Sequence, residues 1–346
     1  MRYVDADCPA DPYPGTAPPC SFVHVDAVAH RLEPDPRAAG GWRVGGRDLD
    51  GWLVDRGAPP AAERVPLLSY GSNRCPSKIT WLRMELGLAG PVVVLRARTD
   101  DVAAVWAAGL RTRDGQRVAV LAASPGTVED HAVWLATPDQ VAVLDRCEGR
   151  GERFRLARLW TGRVTTEDGL RVEGPWCYLG LADTRRPLLV DGASIRCVDV
   201  AQPVARDLRG EPAPGDGLEA PTVDGAPHPD EWPAALFTYG LLQPGQPSWP
   251  LVEPHASGPA REATVDGSVY DTGIGYPALR PGTGGRAPGW VVPLRDPAAL
   301  LPVLDAYEGP DYRRVRLATG DGSVCWAYAW RGSTRGLARC AAGWHC

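Results

Sequence analysis

No His-Glu-x-x-His pair occurs among the 346 residues, and the six histidines are scattered, so the spacing that builds a helical zinc site is missing. No Cys-x-x-Cys occurs among the nine cysteines either, and a chain of this length does not need cross-links to hold a core; free thiols are expected. The tail Cys340-Ala-Ala-Gly-Trp-His345-Cys346 has two readings, a soft-metal site and a frayed terminus, and the second is the plainer. No stretch approaches the roughly 18 consecutive apolar residues of a membrane span, and the acidic start Met1–Asp7 has no apolar h-region, so a soluble, cytoplasmic protein is expected. A net charge of -5 excludes the basic surplus that nucleic acid or an anionic membrane would need. Gly282-Thr283-Gly284-Gly285 is not followed by Lys-Ser/Thr, so it reads as a flexible loop rather than a phosphate cradle. Nothing in the sequence asks for a metal or cofactor.

What is present is a globular balance, 44% hydrophobic and 23% charged, over a length that suits two domains. The most informative stretch is Leu304-Asp305-Ala306-Tyr307-Glu308-Gly309 with Asp311-Tyr312-Arg313-Arg314. Asp296-Pro297 signals a cap and first helical turn, Leu300, Leu301 and Leu304 keep the apolar period, and Gly309 supplies the stop. Pro302 leaves open a helix that begins there instead. In both cases Glu308 falls at a helix C-terminus with Asp305 three residues back, and both negative neighbours are expected to raise its pKa toward the range useful for proton shuttling. The plainer reading is an ordinary solvated glutamate.

The arrangement occurs twice. Leu144-Asp145-Arg146-Cys147-Glu148-Gly149 repeats the Leu-Asp-x-x-Glu-Gly pattern, and each copy follows an apolar run ending in a Tyr-Gly turn, Tyr70-Gly71-Ser72-Asn73 and Tyr239-Gly240-Leu241-Leu242. Thr137-Pro138-Asp139-Gln140 opens the first copy's helix with a capping box. Side by side, Trp134 pairs with Trp290, Phe154-Arg155 with Tyr312-Arg313, and Trp176-Cys177-Tyr178 with Trp326-Ala327-Tyr328. The expected organisation is a Pro/Gly-rich extension at 1–60, a first domain at 61–205, a linker at 206–233, a second domain at 234–335 and a tail at 336–346. Read alone, each Tyr-Gly turn is a strand-ending bend, Gly275-Tyr276-Pro277 a hairpin, and Tyr312 and Tyr328 are equally cavity-wall donors or core aromatics.

As an ordered set, these motifs resemble the gamma-glutamylcyclotransferase-like superfamily, which includes AIG2-like proteins and gamma-glutamylamine cyclotransferases. Tyr239-Gly240-Leu241-Leu242 looks like its Tyr-Gly-Thr-Leu motif, Gly275-Tyr276-Pro277-Ala278 its middle motif, and Leu304–Gly309 with Tyr312-Arg313 its acidic motif; the first copy is similar to the Tyr-Gly-Ser-Asn variant. The resemblance covers about residues 65 to 332. It implies an α+β fold of two tandem mixed β-barrel domains with short flanking helices. It implies cyclisation of a small gamma-glutamyl amine or peptide to 5-oxoproline, with Glu308, and Glu148 in the first domain, as acid and base. Substrate contacts would come from Tyr239, Gly240, Leu241, Leu242 and Tyr312, and from Tyr70, Gly71, Ser72 and Asn73. The chain departs from the pattern at Leu241, at Phe154 in place of tyrosine, and in the first domain's lack of a Gly-Tyr-Pro element. A binding module using the same cavity, and an acyltransferase or amidase using the same glutamate, remain the alternatives.

Overall fold

In the computed structural model, which describes residues 1–38 and 40–344, the chain divides into two units, Met1–Pro227 and His228–Cys346. His345 and Cys346 of the tail motif lie outside the described residues. Both units are mixed α+β, with curled sheets and few helices.

In the first unit the strands are β1 (Arg2–Val4), β2 (Phe22–Val25), β3 (Val28–Pro34), β4 (Trp42–Val44), β5 (Arg47–Asp48), β6 (Val65–Ser69), β7 (Val92–Leu110), β8 (Arg117–Ala136), β9 (Phe154–Arg158), β10 (Arg163–Thr166), β11 (Arg171–Val172) and β12 (Trp176–Gly180). They form one sheet of order β5-β4-β3-β2-β7-β8-β6-β12-β9, with β1 on β3, β10 on β7 and β11 on β10. A small second sheet joins β13 (Leu188–Val190), β14 (Ala193–Ser194) and β15 (Glu211–Pro212). The helices are α1 (Leu49–Val54), α2 (Pro76–Leu86), α3 (Pro138–Glu148) and α4 (Gln202–Ala205). Val92–Leu95 and Ala103–Trp106, two separate apolar runs of the sequence, belong to one long strand, β7, which pairs with β8 as a hairpin. The 1–60 stretch supplies β1 to β5, more order than its composition suggests. The run at 206–233, read as a linker, is partly laid along β9, where the Val223 N–H donates to the Leu156 carbonyl at 2.9 Å.

The second unit is a sheet of order β19-β20-β16-β18-β17-β21, built from β16 (Ala235–Thr238), β17 (Arg261–Asp271), β18 (Pro277–Pro293), β19 (Tyr312–Ala318), β20 (Val324–Trp330) and β21 (Ala338–Arg339). A bridge between Val265 and Thr319 curls β17 toward the end of β19. Successive strand residues face opposite sides. Phe237 and Tyr239 therefore join one apolar cluster with Val269, Leu279 and Ala327, while Leu236 joins another with Trp326 and Tyr328. The second cluster is completed by α5 (Pro297–Glu308), which buries Leu300, Leu301 and Leu304 completely. Each such leucine contributes about 1.5–3 kcal/mol of burial.

Helix α5 starts where the Asp296-Pro297 signal puts it. The Ala299 N–H donates to Asp296 Oδ1 at 3.0 Å, and Pro302 is carried inside the helix rather than opening it. Gly309 ends it at φ +66°, as Gly149 ends α3 at the same angle, a backbone region open chiefly to glycine. The capping box at Thr137 is formed in both directions, Gln140 N–H to Thr137 Oγ1 at 3.3 Å and Thr137 N–H to Gln140 Oε1 at 3.2 Å.

The two units share a pairing plan. β6 lies parallel to β12 with Leu67 opposite Trp176, and β16 lies parallel to β20 with Leu236 opposite Trp326. Phe154 pairs with Gly180 as Tyr312 pairs with Trp330. Each long hairpin also bulges on its second strand: pairing jumps from Ala123 to Val128 in β8, and from Pro281 to Arg286 in β18. The Gly282–Gly285 run is therefore a bulge within a strand and not a free loop. The equivalence of Trp134 with Trp290 slips by two residues. Leu67 faces Trp134, whereas Leu236 faces Val292, so Trp134 corresponds to Val292. Two tryptophans of like character on one strand face cannot fix a register by themselves.

No described helix is long and apolar enough to cross a membrane, and no group of three or more His, Cys, Asp or Glu among the described residues is placed to hold a metal. The eight described cysteines are unpaired.

Candidate functional site

Glu308 follows Leu304 by four residues, so the helix face that buries its leucines against the sheet also delivers this carboxylate to the edge of the core. It lines a cavity of about 280 Å³ with Tyr239, Gly240, Leu241 and Leu242 from the Tyr-Gly turn, Tyr276 and Pro277 from the hairpin tip, and Tyr312 from β19. Burial raises the Glu308 pKa from 4.5 to about 7. Asp305 is not the cause. It accepts from the Tyr328 hydroxyl at 2.8 Å and pairs with Arg314 at 3.1 Å, so its charge is already occupied. The Glu308 carboxylate itself makes no side-chain hydrogen bond or ion pair among the described residues.

The Tyr-Gly turn puts its main chain toward the same space. A Cβ on Gly240 would come 2.5 Å from Cγ of Pro277, so only glycine lets the turn and the Gly275-Tyr276-Pro277 tip meet. Among the described residues the N–H groups of Gly240, Leu241 and Leu242 donate to no protein acceptor, while the Gly240 carbonyl closes the turn by accepting from Gln243 at 3.0 Å. Clustered main-chain donors of this kind suit an anionic or developing oxyanionic oxygen.

The tyrosines brace the wall. Tyr239 donates its hydroxyl to the Tyr328 carbonyl at 2.7 Å, and Tyr312 donates to the Pro277 carbonyl at 2.6 Å. Burial raises both phenols. Tyr312 and Tyr328 thus carry both roles that their sequence positions allow, cavity lining with hydroxyls satisfied by protein. Tyr276 and Tyr312 meet at 6.2 Å between ring centres, and Trp330 packs on Tyr312 at 5.2 Å.

In the first unit, Glu148 lines a cavity of about 370 Å³ with Tyr70, Gly71, Ser72 and Asn73. Tyr70 donates to the Tyr178 carbonyl, and Tyr178 to Asp145 at 2.7 Å, the counterparts of the Tyr239, Tyr328 and Asp305 contacts. The differences lie at the mouth. Asn73 Nδ2 donates to Glu148 Oε1 at 2.8 Å, so this carboxylate is tethered where Glu308 is not. The hairpin tip brings Arg111, Thr112 and Arg113 where the second unit has Tyr276 and Pro277. Gly71 faces the hydroxyl of Tyr13, 2.8 Å from where its Cβ would lie. Tyr13 comes from the N-terminal stretch, more than 50 residues from the turn it abuts, and no local pattern announces it. Tyr276 and Pro277 were legible as a motif; the arginines and Lys78 of the first cavity were not.

A half-buried carboxyl and main-chain N–H groups that pair with no protein acceptor among the described residues thus line one small cavity, an arrangement suited to moving a proton on a small polar molecule. Residues 236–345, about a third of the sequence, match the model of the family described as "Gamma-glutamyl cyclotransferase, AIG2-like". No curated protein matches the chain. Among solved structures it is similar to an uncharacterized protein from Pyrococcus horikoshii, with 20% identity over 32% of this chain and 86% of that one, TM-score 0.26. It is similar to an AIG2-like protein from Mus musculus, with 23% identity over 32% of this chain and 88% of that one, TM-score 0.28. It is also similar to an allophanate hydrolase from Kluyveromyces lactis, with 13% identity over 65% of this chain and 31% of that one, TM-score 0.27.

Proposed function

We propose that the protein is a cytoplasmic cyclotransferase-like enzyme built from two tandem domains, and that its second domain converts a gamma-glutamyl amine or peptide to 5-oxoproline. The observation that carries this reading is Glu308: a half-buried carboxyl whose pKa burial raises to about 7, without a side-chain partner among the described residues, lining the same cavity as the Gly240 to Leu242 turn, whose N–H groups donate to no described acceptor. The match of residues 236–345 to the cyclotransferase family model supports the same class of reaction.

In this reaction the substrate's α-amine attacks its own γ-carbonyl. Ionised Glu308 takes the proton that the amine loses, and the main-chain N–H groups hold the oxygen that becomes negative in the tetrahedral intermediate. The C–N bond to the leaving group then breaks, and protonated Glu308 returns its proton to the departing amine. Atoms and charge balance, and the nucleophile is already attached to the electrophile, so the protein contributes orientation more than activation. A pKa near ambient pH lets one residue serve as base and then as acid.

The bridge between Val265 and Thr319 supports reading the second sheet as a small mixed barrel. The shared pairing plan, and the repeated tyrosine, tyrosine and aspartate contacts, support a duplication, with Glu148 standing where Glu308 stands. The test is release of 5-oxoproline from a panel of gamma-glutamyl amines and peptides, measured with wild-type protein and with Glu308→Gln. Turnover by the wild type, lost in the variant, is the expected result; equal turnover by both would end the assignment of Glu308.

A further inference from the structure

Of the 37 lysine and arginine side chains of the sequence all but one are arginines, and the single lysine, Lys78, stands in the wall of the first unit's cavity. Arg153 and Arg185 stand there too, and the hairpin tip adds Arg111 and Arg113. Glu148 is the one carboxylate in that lining, whereas the second unit's cavity is lined by Glu308 and Asp311 and by no lysine or arginine. Two cavities on one pairing plan therefore carry opposite charge.

The cations are not equally occupied. Asp114 neutralises Arg111 through bonds of 2.8 and 2.6 Å and lies 3.5 Å from Arg113. Lys78, Arg153 and Arg185 have no carboxylate partner among the described residues. Lys78 rests 3.6 Å from the centre of the Trp81 ring and donates to Cys147 Sγ at 3.4 Å. Arg153 donates to the carbonyls of Glu148 and Cys147 at 3.1 and 3.0 Å, and Arg185 donates to the carbonyl of Thr184 at 3.2 Å. Arg185 is only 7% exposed, so its charge is largely withdrawn from water, and Glu148, the carboxylate of the same cavity, attracts it without forming an ion pair. Burial lowers the pKa of both Lys78 and Arg185, in keeping with that deficit.

We propose that the first unit's cavity binds a small molecule carrying two or more negative charges on carboxylate or phosphate groups, with Lys78, Arg153 and Arg185 as its ion-pair partners. Guanidinium groups offer paired N–H donors that match the oxygens of either group, and a lysine adds a compact charge that adapts to the third contact. The inference does not depend on the reaction proposed for the second unit.

The full chain is titrated calorimetrically at low ionic strength with citrate and, separately, with pyrophosphate, with acetate as the monovalent control. In parallel, acetylation of Lys78 is followed by mass spectrometry, a clean readout because no other lysine exists. Citrate, pyrophosphate or both should bind at one site per chain and slow Lys78 acetylation, while acetate does neither. Citrate alone would assign carboxylates, and pyrophosphate alone phosphates. Arg185→Met and Arg153→Gln should each weaken binding about tenfold or more, and Glu308→Gln should leave it unchanged. The proposal is overturned if neither polyanion binds, if acetate protects Lys78 as well as they do, or if Glu308→Gln abolishes binding. Wild-type affinity in both arginine variants, shown to be folded by circular dichroism, would overturn it equally.

Discussion

The hydroxyl of Tyr239 donates to the main-chain carbonyl of Tyr328 at 2.7 Å, and Tyr328 in turn donates its own hydroxyl to Asp305 at 2.8 Å. The tyrosine of the Tyr-Gly turn is therefore a brace between two strands, and the atoms it leaves for a ligand are those of the turn that follows it. Tyr70, Tyr178 and Asp145 repeat the chain of contacts in the first unit.

Glu308→Gln should lower 5-oxoproline formation by at least about 100-fold, the usual scale for loss of a positioned acid–base group. The amide is nearly isosteric, and Glu308 has no side-chain partner among the described residues to lose. Circular dichroism and thermal melting should show the wild-type fold; a collapsed melting temperature with unchanged activity per folded molecule would refute the assignment.

Two pH dependences follow from a Glu308 pKa raised from 4.5 to about 7. The base form is the ionised one, so kcat/KM should rise with pH through a limb near 7 that the Gln variant lacks. For stability the sign is opposite. A raised carboxyl favours the folded state fully below about 4.5, and that contribution is lost as pH rises through about 7. Its full size by linkage is about 3 kcal/mol, reduced to roughly 2 because Glu308 retains some solvent contact. Denaturant titrations at pH 5 and pH 8 should show Glu308→Gln gaining on wild type at the higher pH.

Gly240→Ala brings a Cβ to 2.5 Å from Pro277 Cγ, and a proline ring cannot swing aside as a long side chain can. Overpacking of this kind costs about 1–3 kcal/mol. Activity should fall further than stability, because the turn and the hairpin tip must separate at the cavity itself. An alanine variant with wild-type kcat/KM would show that the two segments do not need this contact.

Tyr328→Phe removes the hydroxyl from Asp305, which keeps Arg314 at 3.1 Å, so the carboxylate is not stranded. A cost of about 1–2 kcal/mol is expected on chemical denaturation, and the same for Tyr178→Phe, where Asp145 keeps Arg150 at 3.1 Å. An unchanged midpoint in both variants would mean that water replaces the hydroxyl at no loss.

Local elements with short-range signals could be read directly from the residues. The Asp296-Pro297 cap, the Thr137–Gln140 capping box and the glycine stops at Gly149 and Gly309 each fix backbone within a few residues, and α3 and α5 obey them. The sequence also put Glu308 and the Tyr239–Leu242 turn forward together, because both motifs, and their repetition in the first half, are legible in one dimension. Their surroundings were set by folding, which brings distant segments together. The raised pKa of Glu308 comes from burial and not from Asp305, since Tyr328 and Arg314 reach Asp305 from distant strands. The slip of Trp134 against Trp290 has the same origin, because strand register is set by cross-strand packing that a pattern of like residues cannot encode. The gathering of Tyr13, Lys78, Arg153 and Arg185 around one cavity follows from chain closure over more than 100 residues, and no local periodicity carries that information.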